Sequence, residues 1–165
     1  MELTLEIARR SSEDGFLDLS ESEVTRITNK AAEFLSQNVG SSLDFYYLTE
    51  LSDEAAEFLS KFKGDSISLG RAEFNEEGYE KERGYLTELS DAAVESLSKY
   101  KGELILGGLT KLSDAAAESL SKHKGEAIYL NALTKISDAA AESLGKHKGK
   151  HIQLDGLTEL SDAAA

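Results

Sequence analysis

The chain has 165 residues, of which 31 are acidic and 18 are basic, and its formal net charge is −13. This charge repels phosphate backbones and anionic lipid, which makes nucleic acid and membrane surfaces poor partners. The absence of cysteine excludes disulfides, thiolate metal sites and a cysteine nucleophile. The sequence has no apolar run long enough to span a membrane and no secretory-signal pattern, so we expect a cytoplasmic protein.

The first residues of the chain carry two short alternating patterns. Leu3 and Leu5 are separated by one position, and so are Leu17 and Leu19. Since alternate side chains of a strand point to the same side, each pattern predicts a short strand. We expect residues 1–23 to form an N-terminal cap and the first strand.

The rest of the chain repeats one sequence about every two dozen residues, which indicates a repeat architecture. The clearest copies read LTELSDAAVESLSKYKG from Leu86, LTKLSDAAAESLSKHKG from Leu109 and LTKISDAAAESLGKHKG from Leu133. An earlier copy starts at Leu48 and a degenerate copy starts at Val24. Each copy is too small to fold alone, so its apolar face must pack against its neighbours.

One interval between copies is longer than the others because a charged loop is inserted at residues 70–84. Apolar periodicity disappears there, and Phe74 and Tyr79 lie among glutamates. Two aromatic side chains in a charged loop favour a contact element, and a disordered insert is an equal alternative. We expect a single domain over residues 1–165, with the repeats over 24–165 interrupted by this loop.

Each copy contains one predicted strand followed by one predicted helix. The helix begins at a Ser-Asp pair, where the serine hydroxyl can accept from free amides of the first turn and the aspartate faces the positive end of the helix dipole. Glu118 is placed to pair with Lys122 one turn later, and Gly125 is expected to end the helix in a left-handed conformation. The apolar face has only alanines and one leucine, so the helix must be short and lie close to the strands. The predicted strands are Leu43-Asp44-Phe45, Ile67-Ser68-Leu69, Leu104-Ile105-Leu106, Ile128-Tyr129-Leu130 and Ile152-Gln153-Leu154.

A strand and a short helix repeated every two dozen residues, with leucines in register, resemble the leucine-rich repeat, and its cysteine-containing subclass most closely. In one copy Ile128, Leu130, Leu133, Ile136 and Leu144 fall on the apolar positions of that pattern. Leucine stands where the family has asparagine or cysteine, so the buried polar ladder is missing. The resemblance implies an α/β fold: a right-handed solenoid with parallel strands on the concave face and short helices on the convex face. Such folds generally act as recognition scaffolds rather than as catalysts.

No group of residues indicates catalysis, a cofactor or a metal. His123 and His147 share one column of adjacent copies, but other copies have Phe62 and Tyr100 there, so we expect half-buried rings at the helix ends. The aspartates of the Ser-Asp pairs supply one carboxylate per copy, which is too few for calcium. The sequence GDSI from Gly64 is similar to the nucleophile block of the GDS esterases, but that family's aspartate-x-x-histidine partner is absent downstream. We therefore expect no enzyme activity.

The strand positions between the buried apolar residues vary, while the helix sequence hardly changes. This contrast suggests a constant frame with a variable binding surface, although drift at exposed positions would look the same. Tyr46 and Tyr129 are the best anchors, because tyrosine combines a large contact area with a polar tip. His151 lies just before a strand, and we expect it to be a surface residue. The candidate partner-binding residues on the concave face are Asp18, Asp44, Tyr46, Ser68, Ile105, Tyr129, Asn131, Gln153 and Asp155; those in the inserted loop are Phe74 and Tyr79.

The leading hypothesis is a non-enzymatic scaffold that binds a protein or peptide on the concave face, helped by the inserted loop. The alternative is a structural or spacer segment of a larger protein. Residues 1–100 carry 22 acids and 10 bases, whereas residues 101–165 carry 9 and 8, so a partner near Asp18 and Asp44 is expected to be basic. The last copy starts at Leu157 and stops within its helix, which suggests either a truncated chain or end-to-end self-association through an uncapped C-terminal repeat.

Overall fold

A computed structural model describes residues 1–13, 24–38, 40–70 and 86–159. Asp18, Phe74 and Tyr79, together with the predicted strand around Asp18, lie outside these described residues. The fold is mixed α/β, as the sequence predicts. Within the described ranges the elements are β1 (Glu2–Leu3), α1 (Leu5–Glu13), β2 (Arg26–Ile27), α2 (Asn29–Asn38), β3 (Ser42–Phe45), α3 (Asp53–Leu59), β4 (Ser66–Leu69), α4 (Asp91–Leu97), β5 (Glu103–Ile105), α5 (Asp114–Ser121), β6 (Ala127–Tyr129), α6 (Asp138–Gly145) and β7 (His151–Gln153).

The main sheet has five parallel strands in the order β3-β4-β5-β6-β7, so each strand pairs with the next one along the chain. Leu43 pairs with Ile67, Leu104 with Ile128, and Ile128 with Ile152, and each pair joins equivalent positions of successive copies. Ile67 pairs with Leu104 in the same way, although the inserted loop lies between them in sequence. The predicted strands are therefore confirmed, with ends that differ by one residue.

The N-terminal segment differs from its prediction. Leu3 lies in β1 and pairs in parallel with Ile27 of β2, but Leu5 is the first residue of α1. The carbonyl oxygen of Thr4 accepts from the backbone nitrogen of Ala8 at 2.9 Å, which is the first helical hydrogen bond. The prediction of a strand through Leu5 is wrong, because this segment repeats the strand end, cap and helix start that the next copy has at β2 and α2.

The later helices begin where the sequence predicts. In α5 the hydroxyl of Ser113 accepts from the backbone nitrogen of Ala116 at 3.0 Å, and the helix starts at Asp114. Ala116, Ala117 and Leu120 are buried, which is the narrow apolar face expected of a helix packed closely on strands. Consecutive helices also contact one another. The equivalent caps of α3, α4 and α6 are Ser52, Ser90 and Ser137.

The glycine near the end of the later copies has a different role from the one predicted. Helix α5 ends at Ser121, and Gly125 does not have a positive φ; among the described glycines only Gly70 does, at 75°. A Cβ atom at Gly125 would run into the carbonyl oxygen of Gly102 and the ring of His123. Glycine is therefore needed there for close approach between neighbouring copies, not for a left-handed helix end.

The core lies between the main sheet and the helices. Leu43, Phe45, Ile67 and Leu69 occupy alternate positions of β3 and β4 and are buried with the helix alanines. Because side chains of a strand alternate between its two faces, the residues between these positions lie on the sheet face away from the helices. None of the helices in the described part of the chain is long and apolar enough to cross a membrane.

Candidate partner-binding surface

Five of the predicted contact residues form one row across the main sheet. Strand pairing places each of them directly beside the next, on the face away from the helices. Adjacent strands lie about 4.8 Å apart, so the row is about 19 Å long. This first row consists of Asp44, Ser68, Ile105, Tyr129 and Gln153.

A second row lies two positions further along the chain in each copy, just beyond the ends of the strands. It contains three predicted contact residues, Tyr46, Asn131 and Asp155, with Gly70 and Gly107 between the first two. The two glycines have no side chains, so the second row has a gap between Tyr46 and Asn131.

This gap forms a depression of about 340 Å³ on the strand face. Four successive strands contribute to it, and five of the residues predicted for the concave face meet there. The two glycines contribute only backbone to its lining, and the other residues contribute aromatic, aliphatic, hydroxyl and amide groups. The strand-face depression is lined by Tyr46, Ser68, Gly70, Ile105, Gly107, Tyr129 and Asn131.

The exposure of these residues departs from the expectation at one position. Ser68 is only 4% exposed, whereas Ile105, Tyr129 and Asn131 are partly exposed. Serine is short and lies between the larger side chains of Asp44 and Ile105, which limits its contact with solvent. Ser68 therefore belongs to the lining of the depression but offers little surface of its own.

Each of the two rows contains one carboxylate close to the depression. Asp44 precedes Ser68 in the first row, and Ser42 Oγ donates to its Oδ2 at 2.9 Å. Asp155 follows Asn131 in the second row; it is exposed, and Gln153 Nε2 donates to its Oδ2. Neither row contains a lysine or an arginine, so the surface around the depression is acidic.

Two side chains at the β6 edge of the depression have contacts that the sequence did not indicate. The ring of Tyr129 meets the ring of His151 edge to face, with centroids 6.2 Å apart. His151 is exposed. Because β6 lies between β5 and β7, Tyr129 has His151 of β7 on one side and Ile105 of β5 on the other. Asn131 Oδ1 is shielded from solvent and accepts no hydrogen bond from the described residues.

The histidine column lies apart from the strand-face depression. We call Phe62, Tyr100, His123 and His147 the ring column; Phe62 stacks on Tyr100 and His123 on His147, each pair with centroids 6.3 Å apart. His123 is fully buried, not half-buried as predicted, and its Nδ1 lies 3.1 Å from the carbonyl oxygen of Ser98. Burial lowers the pKa of His123, so its ring is neutral at physiological pH. This column packs the helix ends.

The aspartates of the Ser-Asp pairs have a second contact beyond the predicted helix-start role. The cap serines of α4, α5 and α6 each accept from their own helix and donate the hydroxyl proton to the aspartate at the start of the preceding helix. The cap serine of α3, Ser52, donates instead to Asn29 Oδ1 at 2.7 Å. Within the described ranges no three histidine, aspartate or glutamate side chains are grouped to hold a metal ion. We call these bonds the cap ladder: Ser90 to Asp53, Ser113 to Asp91 and Ser137 to Asp114.

No model of a protein family matches the chain, and no curated protein matches it. The geometry of the two rows is therefore the main basis for a functional conclusion.

Proposed function

We propose that this chain is a non-enzymatic, leucine-rich-repeat-like scaffold that binds a protein or peptide on its strand face. The strand-face depression carries the proposal, because four neighbouring strands contribute to one recess that no single copy could form. Two tyrosines, Tyr46 and Tyr129, lie at its sides, and tyrosine is enriched among residues that dominate binding energies. The adjacent Asp44 and Asp155 favour a partner with a basic surface.

The proposed architecture is a right-handed solenoid with the strands on its concave face. Parallel pairing of each strand with the strand of the next copy supports it, as do the contacts between consecutive helices. A connection from one parallel strand to the next in the same sheet is right-handed in nearly all proteins. A stack of this kind presents an extended surface whose residues come from successive copies.

The experiment selects peptides from a displayed random library on the full chain and measures their affinity by fluorescence anisotropy. The variant combines Asp44→Asn, Tyr46→Ser and Tyr129→Ser, and we expect it to weaken binding at least tenfold because two anchors are lost. Tyr47→Ser is the matched control, since Tyr47 adjoins Tyr46 in sequence but does not line the depression. Unchanged affinity of the triple variant, with circular dichroism showing both variants folded, would reject the strand face as the binding surface.

A spacer role is the second candidate, and the cap ladder favours it. The same hydroxyl-to-carboxylate bond joins the starts of α3, α4, α5 and α6 in succession, whatever residues occupy the strand face. Exposed ion pairs between copies, such as Arg26 with Glu50 at 3.0 Å, add to this regular pattern. If no displayed peptide binds in a way that depends on Tyr46 and Tyr129, the spacer role becomes the better account.

Two further contacts belong to the proposal but fall on residues outside the described ranges. Deleting residues 71–83 tests the inserted loop, and lost peptide affinity with an unchanged circular dichroism spectrum would support a contact through Phe74 and Tyr79. Sedimentation velocity over a range of protein concentrations tests end-to-end self-association. A concentration-independent monomer would reject that contact.

A further inference from the structure

We propose that the strand-face depression binds an arginine side chain of the partner. This inference rests on the proposed function, because it names the group that the strand face recognises. It follows from three properties of the depression: two glycines in its lining, aromatic and aliphatic side chains beside them, and carboxylates in the adjoining row positions.

Gly70 and Gly107 occupy neighbouring positions of the second row and contribute only backbone to the lining. A Cβ atom at Gly70 would lie 3.6 Å from the Cα atom of Gly108 and 3.7 Å from the Cβ atom of Leu86, so other residues pack closely against this glycine. Because these two positions carry no side chains, a planar group can lie face-on against their peptide groups, whereas a tetrahedral ammonium has no such face.

The sides of the depression suit the rest of an arginine side chain. Ile105 offers aliphatic surface to the three methylene groups of the stem. Tyr46 and Tyr129 both line the depression, and a guanidinium stacks on aromatic rings more readily than an ammonium does. The contact with His151 holds the Tyr129 ring from its other side.

The electrostatics and hydrogen bonding select a cationic donor. The seven residues that line the depression are uncharged, and two carboxylates, Asp44 and Asp155, occupy adjoining row positions. The whole chain has a net charge of −13, which also favours a cation. Asn131 lines the depression, and its Oδ1 has no donor among the described residues. A guanidinium has five N–H donors in one plane, so it can pair with this acceptor while it stacks.

The test titrates the isotope-labelled full chain with three small probes and follows backbone amide shifts by NMR. N-acetyl-L-arginine amide ends in a planar, positively charged group. N-acetyl-L-citrulline amide ends in a planar but neutral group, and N-acetyl-L-lysine amide in a charged group that is not planar. We expect saturable shifts at Gly70, Gly107 and Asn131 with the arginine probe, with a dissociation constant on the order of millimolar. The other two probes should bind at least threefold more weakly.

Two variants examine the depression itself. Gly107→Asn fills the recess with the residue that the next copy has at this position, Asn131, and should abolish the shifts. Gly107 does not have a positive φ, so an asparagine is compatible with its backbone. Asp44→Asn should weaken the arginine probe by about two- to fivefold, as expected for an exposed charge pair, and leave the citrulline probe unchanged. Tyr47→Ser is again the control and should bind the arginine probe normally.

The inference is overturned if citrulline or lysine binds as well as arginine, or if the folded Gly107→Asn variant still binds. Its failure is distinguishable from failure of the proposed function. Displayed peptides that require Tyr46 and Tyr129 but contain no arginine would overturn the inference and leave the strand face as the binding surface.

Discussion

The ring column shows how one residue position is used differently in successive copies. Phe62 and Tyr100 fill it in the earlier copies, and the Tyr100 hydroxyl donates to the carbonyl oxygen of Gly64 at 2.7 Å. Burial raises the pKa of Tyr100, so its hydroxyl stays protonated and continues to donate. His123 and His147 fill the same column later, and neither Nε2 has a partner in the described structure. A ring fills this column in four copies, and the buried ring of His123 makes it sensitive to pH.

Stability should therefore fall as the pH drops through the histidine range. Burial, and to a lesser extent the neighbouring charge of His147, lower the pKa of His123 below its ordinary value of about 6.5. Below that value the unfolded chain binds a proton that the folded chain does not, so the free energy of unfolding decreases toward acid. Urea unfolding at pH 7.5 and pH 5.5 measures this loss. Replacing His123 with phenylalanine, the residue at position 62, should reduce this loss; an equal loss in the variant would contradict the assignment to the His123 ring.

A second prediction concerns the glycines next to the ring column. A Cβ atom at Gly102 would meet the Tyr100 hydroxyl and the carbonyl oxygen of Asp65, so Gly102→Ala should destabilise by about 1–3 kcal/mol. Gly145→Ala is the matched control, because nothing lies within 4 Å of its Cβ position. Since Gly145 is in helix α6, alanine there should be neutral or stabilise by up to about 1 kcal/mol. Equal effects of the two variants in urea unfolding would contradict the close-approach explanation.

At the scale of single elements, the spacing of the repeats predicted the helices and strands better than the alternation of apolar residues within one segment did. The strands of the main sheet and the helix starts were predictable, because the same apolar alternation and the same Ser-Asp cap recur. Helix α1 was missed because Leu3 and Leu5 alternate like a strand. The signal that identifies it is periodic: Ala8 and Ala32 occupy equivalent positions of successive copies, and both are buried. The helix cap that follows Leu3 then indicates a helix rather than a continued strand.

The cap ladder also could not be predicted, because it joins two different positions of neighbouring copies, the serine of one and the aspartate of the other. Sequence identified the serine as a cap and the aspartate as a helix-start charge, but not that Ser113 donates to Asp91. The ion pairs within helices were predictable, and Glu118 does pair with Lys122 at 2.8 Å. That lysine lowers the pKa of Glu118. Both groups are exposed, so the pair contributes little to stability.

Removing a cap serine should affect stability more than removing another helix serine. Ser113→Ala loses the bond from the Ala116 amide and the bond to Asp91, and should cost about 1 kcal/mol, within the usual range for helix caps. Ser121→Ala is the control: its hydroxyl bonds only to the Glu118 carbonyl of its own helix, and we expect a change within about 0.5 kcal/mol.

A double-mutant cycle separates the ladder from the cap. Asp91→Ala removes the acceptor and leaves the bond between Ser113 and the Ala116 amide in place. If the ladder contributes, the two substitutions should be coupled by about 0.5–1 kcal/mol in urea unfolding. Additive effects would limit Ser113 to its role as a cap.

At the scale of the whole molecule, the two rows could be predicted from the sequence but the depression could not. The rows were predictable because parallel copies in register place equivalent residues side by side, and five predicted contacts do form the first row. The depression depends on where the large and small residues of neighbouring copies meet. Gly70 and Gly107 create the gap only because Tyr46 and Asn131 flank it. A variable column in one sequence does not show which of its members form a recess.

The most direct test of the central claim is hydrogen–deuterium exchange of the full chain, free and saturated with a selected peptide. Binding on the strand face should slow exchange in β4, β5 and β6 and in the residues that follow them, where the depression lies. Exchange in the outer parts of the helices should change little, because they lie on the opposite side of the core. Protection confined to the helices, or an unchanged exchange pattern in the strands at saturation, would contradict binding on the strand face.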